Sequence, residues 1–271
     1  MVPWAGAIKI KEVNMDNILN KLGLNLDEET KLTNDSTFSF DCHKGLSCYN
    51  TCCGDLDIFL TPYDVLRMKN RLGLSSAEFI SEYTEPVIHH ESKLPFLKLK
   101  LGEKGSCRFV TAEGCSLYED RPLACRYYAI GFGIYKNEAA AGSDFYFLIK
   151  EEHCKGFEEE REWTVAEWRK TQEIDVYDDK NKVWMDIILN KKMYSPDLEP
   201  DEKSLKMFFM GSYELDSFKN FVFESRFLEI FDVDDDEQEL LKKDEVELMQ
   251  FAHKWLQYAL FRMPTMKLRG K

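Results

Sequence analysis

The grouping of the cysteines constrains this chain more than any other feature. The sequence of 271 residues contains eight cysteines, four of them within residues 42–53 and three more within 107–125. Cysteines that act only as small buried hydrophobic residues are expected to be spread along a chain. Their concentration in short segments indicates a shared chemical role. The eight are Cys42, Cys48, Cys52, Cys53, Cys107, Cys115, Cys125 and Cys154.

Whether the cysteines form disulfides or bind metal depends on the cellular compartment of the protein. Residues 1–17 lack the basic and long apolar parts of a signal peptide, and no run of about 18 apolar residues occurs in the chain. We therefore expect a soluble, cytoplasmic protein with no membrane partner. The net charge of −13 also disfavours nucleic acid as a partner. Because a reducing cytoplasm disfavours disulfides, the cysteines are predicted to bind metal as soft thiolate ligands.

Two helix-start signals follow the first group of cysteines. Thr61 to Asp64 and Ser75 to Glu78 each match a capping box, which predicts short helices ending near Gly73 and Tyr83. Apolar periodicity predicts a short early helix and three later ones. These lie at Met15–Leu22, Thr164–Tyr177, Val183–Lys192 and Asp244–Phe261.

Alternating apolar and polar residues predict two β-hairpins. In the first, Phe96–Leu101 is followed by a turn at 102–105 and returns through Cys107–Val110. The second is predicted to join Tyr127–Tyr135 with Phe145–Ile149. With 44% hydrophobic residues the chain has enough apolar material for a core.

These patterns predict a mainly helical α+β fold. A small cysteine-rich metal-binding region with β-hairpins is expected to be followed by an all-helical C-terminal region. We expect a division into a lead-in at 1–40, a cysteine-cluster metal-binding domain at 41–160 and a helical region at 161–271.

The cysteine spacing fits poorly with the usual zinc folds. Zinc ribbons and fingers take ligands as two C-x2–4-C knuckles, and only the step from Cys48 to Cys52 and its neighbour Cys53 has that spacing. The ferredoxin run of closely spaced cysteines is also absent. The sequence therefore predicts a site that the fold assembles from distant segments. Adjacent Cys52 and Cys53 either serve different metals, or one ligates while the other packs.

Residues 115–126, which read C-S-L-Y-E-D-R-P-L-A-C-R, carry the strongest local motif. Together with the Cys52–Cys53 pair, this segment resembles the YkgJ-type cysteine-cluster family, a zinc- or iron-chelating domain. That family has a run of cysteines ending in Cys-Cys, a later Cys, the motif C-x-[IL]-Y-x-x-R-P-x-x-C-R and a last isolated Cys. The resemblance covers about residues 42–156 and uses all eight cysteines. The first cysteines are spaced C-x5-C-x3-C-C, where the family commonly has C-x2-C-x2-C-C.

The resemblance implies a metal centre built from the eight cysteines. The same cluster occurs in flagellin lysine methylases, where it looks like a [4Fe-4S] site. This analogy and the irregular spacing favour a [4Fe-4S] cluster, with Zn²⁺ as the alternative. Arg108, Arg121 and Arg126 lie beside or near cysteines and either compensate the charge of the centre or, as for Arg121, pair with surface carboxylates.

Three classes of function stay open at this point. The first is a metal-binding protein with a binding or accessory role. The second is an enzyme that uses the cluster in redox chemistry or in a methylase-like protein modification, although no Gly-rich methyl-donor loop is present in the sequence. The third is a protein whose helical C-terminal region docks a protein partner and whose metal is structural. The sequence leaves one metal site or two equally open.

Overall fold

The helix predicted at 15–22 lies outside the part of the chain that the structure describes. The computed structural model describes residues 12–13, 31–55, 57–134, 144–194 and 199–270.

The strands are short and the helices dominate. In chain order the strands are β1 (Glu12–Val13), β2 (Thr37–Ser39), β3 (Phe59–Leu60), β4 (Thr84–His89), β5 (Pro95–Leu99), β6 (Val110–Thr111), β7 (Gly114–Cys115), β8 (Ile130–Ile134), β9 (Asp144–Leu148) and β10 (Glu162–Thr164). The helices are α1 (Pro62–Leu72), α2 (Ser76–Tyr83), α3 (Leu123–Tyr127), α4 (Val165–Thr171), α5 (Ile174–Tyr194), α6 (Glu202–Tyr213), α7 (Leu215–Glu224), α8 (Phe227–Ile230), α9 (Asp235–Lys243) and α10 (Glu245–Phe261).

The chain divides into two compact units, each made of stretches that are distant in sequence. The first unit comprises Met1–Asn14, Phe59–Leu99 and Asp178–Lys271, and the second comprises Met15–Ile58 and Lys100–Tyr177. All eight cysteines belong to the second unit. The division into three consecutive segments stays a prediction from the sequence.

The first unit contains a four-stranded sheet in the order β1-β4-β5-β3. Strands β4 and β5 pair antiparallel, with Thr84 opposite Leu99 and Ile88 opposite Pro95. Strand β3 pairs antiparallel with β5, and β1 pairs in parallel with β4. In β5 the alternate residues Pro95, Leu97 and Leu99 are buried, so one face of the strand packs into the core.

The hairpin predicted from residues 96–110 is wrong in its pairing. The strand forms, but β4 is its partner, and the returning segment contributes only the isolated bridge between Leu101 and Cys107. The Cys107 N–H donates instead to the Cys53 carbonyl oxygen at 2.7 Å, so it is not available to continue a ladder with β5. The alternation of 96–101 correctly indicated a strand, but the pattern carried no information about its partner.

The capping signals found in the sequence are confirmed. Thr61 and Ser75 each accept a hydrogen bond from the third residue of their helix, and the carboxylate of that residue bonds back to the cap N–H. Helix α1 ends before Gly73, whose φ of 68° is the left-handed conformation that glycine adopts without strain. Helix α2 ends at Tyr83, as predicted.

The C-terminal helices also follow the sequence pattern. From Val165 on, the part of the chain that the structure describes contains helices and no strand, apart from a single bridge between Phe231 and Leu268. The predicted helix at 164–177 is divided in two, because Glu173 takes a positive φ of 56° between α4 and α5. The mainly helical α+β fold with an all-helical C-terminal region is confirmed.

The second unit has its own apolar core. Strand β2 pairs with β10, β6 with β7, and β8 with β9, all antiparallel. The last pair confirms the two strands of the second predicted hairpin. Aromatic rings fill the space between them, and Cys154 and Phe157 pack against this core in partly buried positions. The buried members are Phe38, Phe40, Tyr127, Ala129, Ile130, Tyr146, Val165, Trp168 and Ile174.

No helix in the described ranges is long and apolar enough to cross a membrane.

A buried lysine connects two helices of the first unit. Lys69 of α1 is only 4% exposed, and its Nζ lies 2.8 Å from Glu245 Oε1 at the start of α10. The Nδ2 of Asn70 donates to the other oxygen of Glu245 at 2.8 Å. Because a buried ammonium without its carboxylate is costly, this pair is a point where the helix packing is sensitive to charge.

Glu245→Ala is therefore expected to lower the free energy of unfolding by about 2 kcal/mol, measured by urea denaturation. Glu247→Ala is the matched control, since both carboxylates lie in the first turn of α10 and share its favourable dipole interaction. The control should change stability by less than about 0.5 kcal/mol. Equal losses in the two variants would show that the Lys69 contact contributes nothing beyond the dipole.

Candidate metal centre

The first cysteine segment is a series of tight turns. Backbone N–H groups of Leu46, Tyr49, Thr51 and Gly54 each donate to a carbonyl oxygen three residues earlier, at 2.9–3.1 Å. Residues Thr51–Cys53 form one turn of 3₁₀-helix. Winding of this kind brings cysteines with irregular spacing into one small volume, which a straight strand could not do.

Two further segments hold this loop in place. The side-chain Nδ2 of Asn50 donates to the Thr111 carbonyl oxygen at 2.9 Å, and the Tyr49 hydroxyl donates to the Glu113 carbonyl oxygen at 3.3 Å. Asn50 has a φ of 68°, a conformation that Asn tolerates better than most residues. The β6–β7 hairpin that carries Cys115 is thereby tied to the first loop.

Four cysteines form a group that we call the first set. Burial, followed by the charges of Cys52, Cys154 and Cys48, raises the pKa of the Cys42 thiol to about 11. The N–H of Lys155, the residue that follows Cys154, donates to the Cys48 sulfur at 3.2 Å. Contacts between residues that are far apart in sequence therefore bring these thiols together. The first set is Cys42, Cys48, Cys52 and Cys154.

The other four cysteines form the second set. The hydrogen bond with Cys52 and burial raise the pKa of the Cys53 thiol, and the charges of Cys125 and Cys107 raise it further. Burial also raises the pKa of the Cys115 thiol, to which the charge of Cys107 contributes. The Cys107 N–H bond to the Cys53 carbonyl oxygen fixes the backbones of this group. The second set is Cys53, Cys107, Cys115 and Cys125.

The two sets meet at the adjacent residues Cys52 and Cys53. A hydrogen bond from the Cys53 thiol lowers the pKa of Cys52 to about 7, although burial opposes the shift. One of the two sulfurs is thus stabilised as a thiolate by its neighbour, and thiolates are the form that binds metal.

Arg126 organises the segment that follows Cys115. Its side chain is 1% exposed and donates to the carbonyl oxygens of Glu119, Arg121 and Gln172 at 2.6–3.1 Å. It also donates to the Tyr177 hydroxyl at 3.0 Å. These bonds occupy the guanidinium with the loop before Cys125 and with helix α5, so the structure places Arg126 as a positioning group.

Arg121 lies close to Cys115 and Cys125, whose charges act on its guanidinium. It is 7% exposed, its guanidinium stacks 3.9 Å from the Tyr118 ring centroid, and it donates to the side chain of Gln172. Burial lowers the pKa of Arg121, while the charges of Tyr118, Cys125 and Cys115 act in the opposite direction. Arg121 is therefore the cation that faces the second set. Arg108 is exposed.

Histidines near the cysteines face carboxylates. His43 Nε2 lies 3.7 Å from Glu159, and His153 Nε2 lies 3.6 Å from Glu151. The Tyr128 hydroxyl donates to Glu151 at 2.9 Å. No sequence pattern indicated Tyr128 as a residue of the site. Burial, followed by a hydrogen bond with Cys154, raises the pKa of Tyr128.

The donor chemistry of the eight cysteines suits a thiophilic metal. None of them is in a disulfide; Cys42 is exposed and the other seven are partly buried. In the described part of the chain, no three His, Cys, Asp or Glu side chains are already arranged around a single ion position. The fit therefore rests on the number and type of donors and on their grouping: soft thiolates are the ligands that zinc and iron–sulfur clusters select.

The family model described as "Putative zinc- or iron-chelating domain" matches residues 41–182, which is more than half of the chain. The matched region includes all eight cysteines and the motif at 115–126, so the resemblance found in the sequence is confirmed. No curated protein and no solved structure matches the chain.

The pKa shifts predict an unusual order of reactivity in the metal-free protein. At about pH 7.5, iodoacetamide should alkylate Cys52 at least about tenfold faster than Cys42, because a pKa of about 7 leaves Cys52 mostly thiolate and a pKa of about 11 leaves Cys42 almost wholly protonated. Tandem mass spectrometry of quenched time points separates the two positions. Urea-denatured protein is the control, in which both should react at similar rates. Exposure alone favours Cys42, so faster labelling of Cys42 in the folded protein would contradict this electrostatic description.

Proposed function

Because the chain belongs to the CxxCxxCC family of zinc- or iron-chelating domains, we propose that its eight cysteines hold an iron–sulfur centre of the [4Fe-4S] type. Zn²⁺ is the alternative metal. The observation that carries this proposal is the gathering of eight cysteines, none of them in a disulfide, from four separate segments of the chain into one compact unit. When bound, such a centre supplies a redox-active group held by thiolates.

The way in which the ligands are distributed supports iron over zinc. Structural zinc sites usually take their ligands as pairs from two knuckles, and here knuckle spacing occurs only from Cys48 to the adjacent Cys52 and Cys53. The remaining sulfurs come from a 3₁₀-turn, a hairpin, a short helix and a loop. Iron–sulfur sites tolerate such scattered ligands because the fold, and not one loop, fixes the thiolates.

The charge around the thiols supports a negatively charged centre. A [4Fe-4S] cluster or a zinc ion bound by four thiolates carries a net charge of about −2, which is costly to bury without compensation. Arg121 supplies a cation beside Cys115 and Cys125. The Lys155 N–H supplies a donor to the Cys48 sulfur. These groups would hold the centre by charge and by hydrogen bonding.

The exposure of the thiols supports a binding or accessory role. Cys42 is exposed and the other cysteines are only partly buried, so metal can reach them or leave them without unfolding of the unit. A cytoplasmic location follows from the same proposal, since a reducing compartment keeps thiols free for metal. A protein partner on the helical C-terminal region stays a prediction from the sequence.

Metal analysis of the protein purified without oxygen tests this proposal. We expect brown protein with iron and acid-labile sulfide in equal amounts and broad absorption at about 400 nm. Protein purified in air with a chelator is the control and should lose both colour and iron. Colourless anaerobic protein that contains zinc would overturn the iron assignment and keep the metal site. Protein with neither metal would overturn the whole proposal.

A further inference from the structure

We propose that the eight cysteines form two separate four-thiolate metal centres that adjoin at Cys52 and Cys53. The first set of cysteines holds one centre and the second set holds the other. This inference rests on the proposed function and deepens it, since each set takes the same class of thiophilic metal, a [4Fe-4S] cluster or a zinc ion.

Two hydrogen bonds between distant segments support the first centre. The Asp41 N–H donates to the Gly156 carbonyl oxygen at 3.0 Å, which places Cys42 beside the Cys154 loop. The Lys155 N–H donates to the Cys48 sulfur at 3.2 Å. These two bonds join the beginning and the end of the cysteine region, so that the last, isolated cysteine lies beside the first ones.

The second centre stands on a different group of links. The Cys107 N–H donates to the Cys53 carbonyl oxygen at 2.7 Å, and the Val110 N–H donates to the Cys107 carbonyl oxygen at 3.2 Å. Val110 is the register partner of Cys115 in the β6–β7 hairpin. Arg121 lies close to both Cys115 and Cys125. These contacts connect the four cysteines of the second set, and the hydrogen-bonded pair of Cys52 and Cys53 is the junction with the first set.

Cys52 and Cys53 are the point at which the two sets meet, and a hydrogen bond joins their thiols. Both residues lie in the 3₁₀-turn Thr51–Cys53, where successive side chains leave the axis about 120° apart. The charge of Cys52 raises the pKa of the Cys42 thiol, so these two residues lie close together. The charges of Cys107 and Cys125 likewise raise the pKa of the Cys53 thiol. One short turn therefore supplies one ligand to each centre.

The number of ligands agrees with this division. Zinc in structural sites and [4Fe-4S] clusters each take about four thiolates. A single centre would leave half of the cysteines without a metal, although none of the eight is in a disulfide and none is fully buried. Each set also has its own charge or hydrogen-bond donor, Arg121 for the second and the Lys155 N–H for the first.

The amount of metal bound per chain gives the first test. Anaerobically purified protein is expected to contain about eight irons or about two zincs, or one cluster together with one zinc, as determined by mass spectrometry of the elements and by sulfide analysis. About four irons or one zinc would overturn the two-centre proposal and leave the proposed function standing. Protein without metal would overturn both.

Double Cys→Ser variants give the second test, because serine is a poor soft ligand. Cys48→Ser/Cys154→Ser and Cys115→Ser/Cys125→Ser each remove two ligands from one set and should each lose about half of the metal. The cross-set variant Cys48→Ser/Cys125→Ser is the matched comparison and should lose most of it. If all three lose the metal alike, a single shared centre is present. The metal content of the unaltered protein decides the question even where a variant fails to fold.

Discussion

The short stretch from Asn50 to Asp55 determines the shape of the cysteine unit. It turns through the left-handed conformation at Asn50 and again at Asp55, whose N–H donates to the Gly105 carbonyl oxygen at 2.8 Å. Between these points Cys52 and Cys53 lie in one 3₁₀-turn, and a hydrogen bond joins their thiols. The loop approaches the β6–β7 hairpin so closely that a Cβ at Gly114, which has a φ of +113°, would lie 2.6 Å from the Tyr49 hydroxyl. The segments that carry Cys107 and Cys115 are positioned against this stretch by hydrogen bonds to Cys53 and from Asn50.

The R-P-x-x-C-R part of the motif has a physical role that differs between its two arginines. Arg126 is fully buried, and a buried guanidinium is tolerated only when its donors are satisfied. Its bonds to the Glu119 and Arg121 carbonyl oxygens shape the loop that leads to Cys125. Arg121 takes the position beside the sulfurs of Cys115 and Cys125. A charge that orders the loop and a charge that lies beside the thiols of Cys115 and Cys125 are thus divided between two residues five positions apart.

Local signals in the sequence were sufficient for helices α1 and α2 and for the region of the site, but they did not separate α4 from α5 or predict α6, α7 and α8 individually. Capping boxes at Thr61 and Ser75 placed α1 and α2 because the interactions involved lie within one turn. The strand at 96–101 was recognised but its partner was not, since pairing depends on contacts that the alternation does not encode. The same limit applies to the cysteines: spacing indicated a metal site, but the association of Cys42 with Cys154 depends on the fold. Gln172 and Tyr177, which hold Arg126, had no signal near the motif.

X-ray absorption at the edge of the bound metal tests the central claim most directly, because it reports the ligand atoms without requiring any variant. If the eight cysteines alone bind the metal, each metal atom should have about four sulfur neighbours, with zinc–sulfur distances of roughly 2.3 Å if zinc is bound. No nitrogen or oxygen ligand is expected, because thiols in two complete sets leave no position for His43 or His153. A first shell that contains nitrogen or oxygen would contradict the claim that the eight cysteines alone hold the metal.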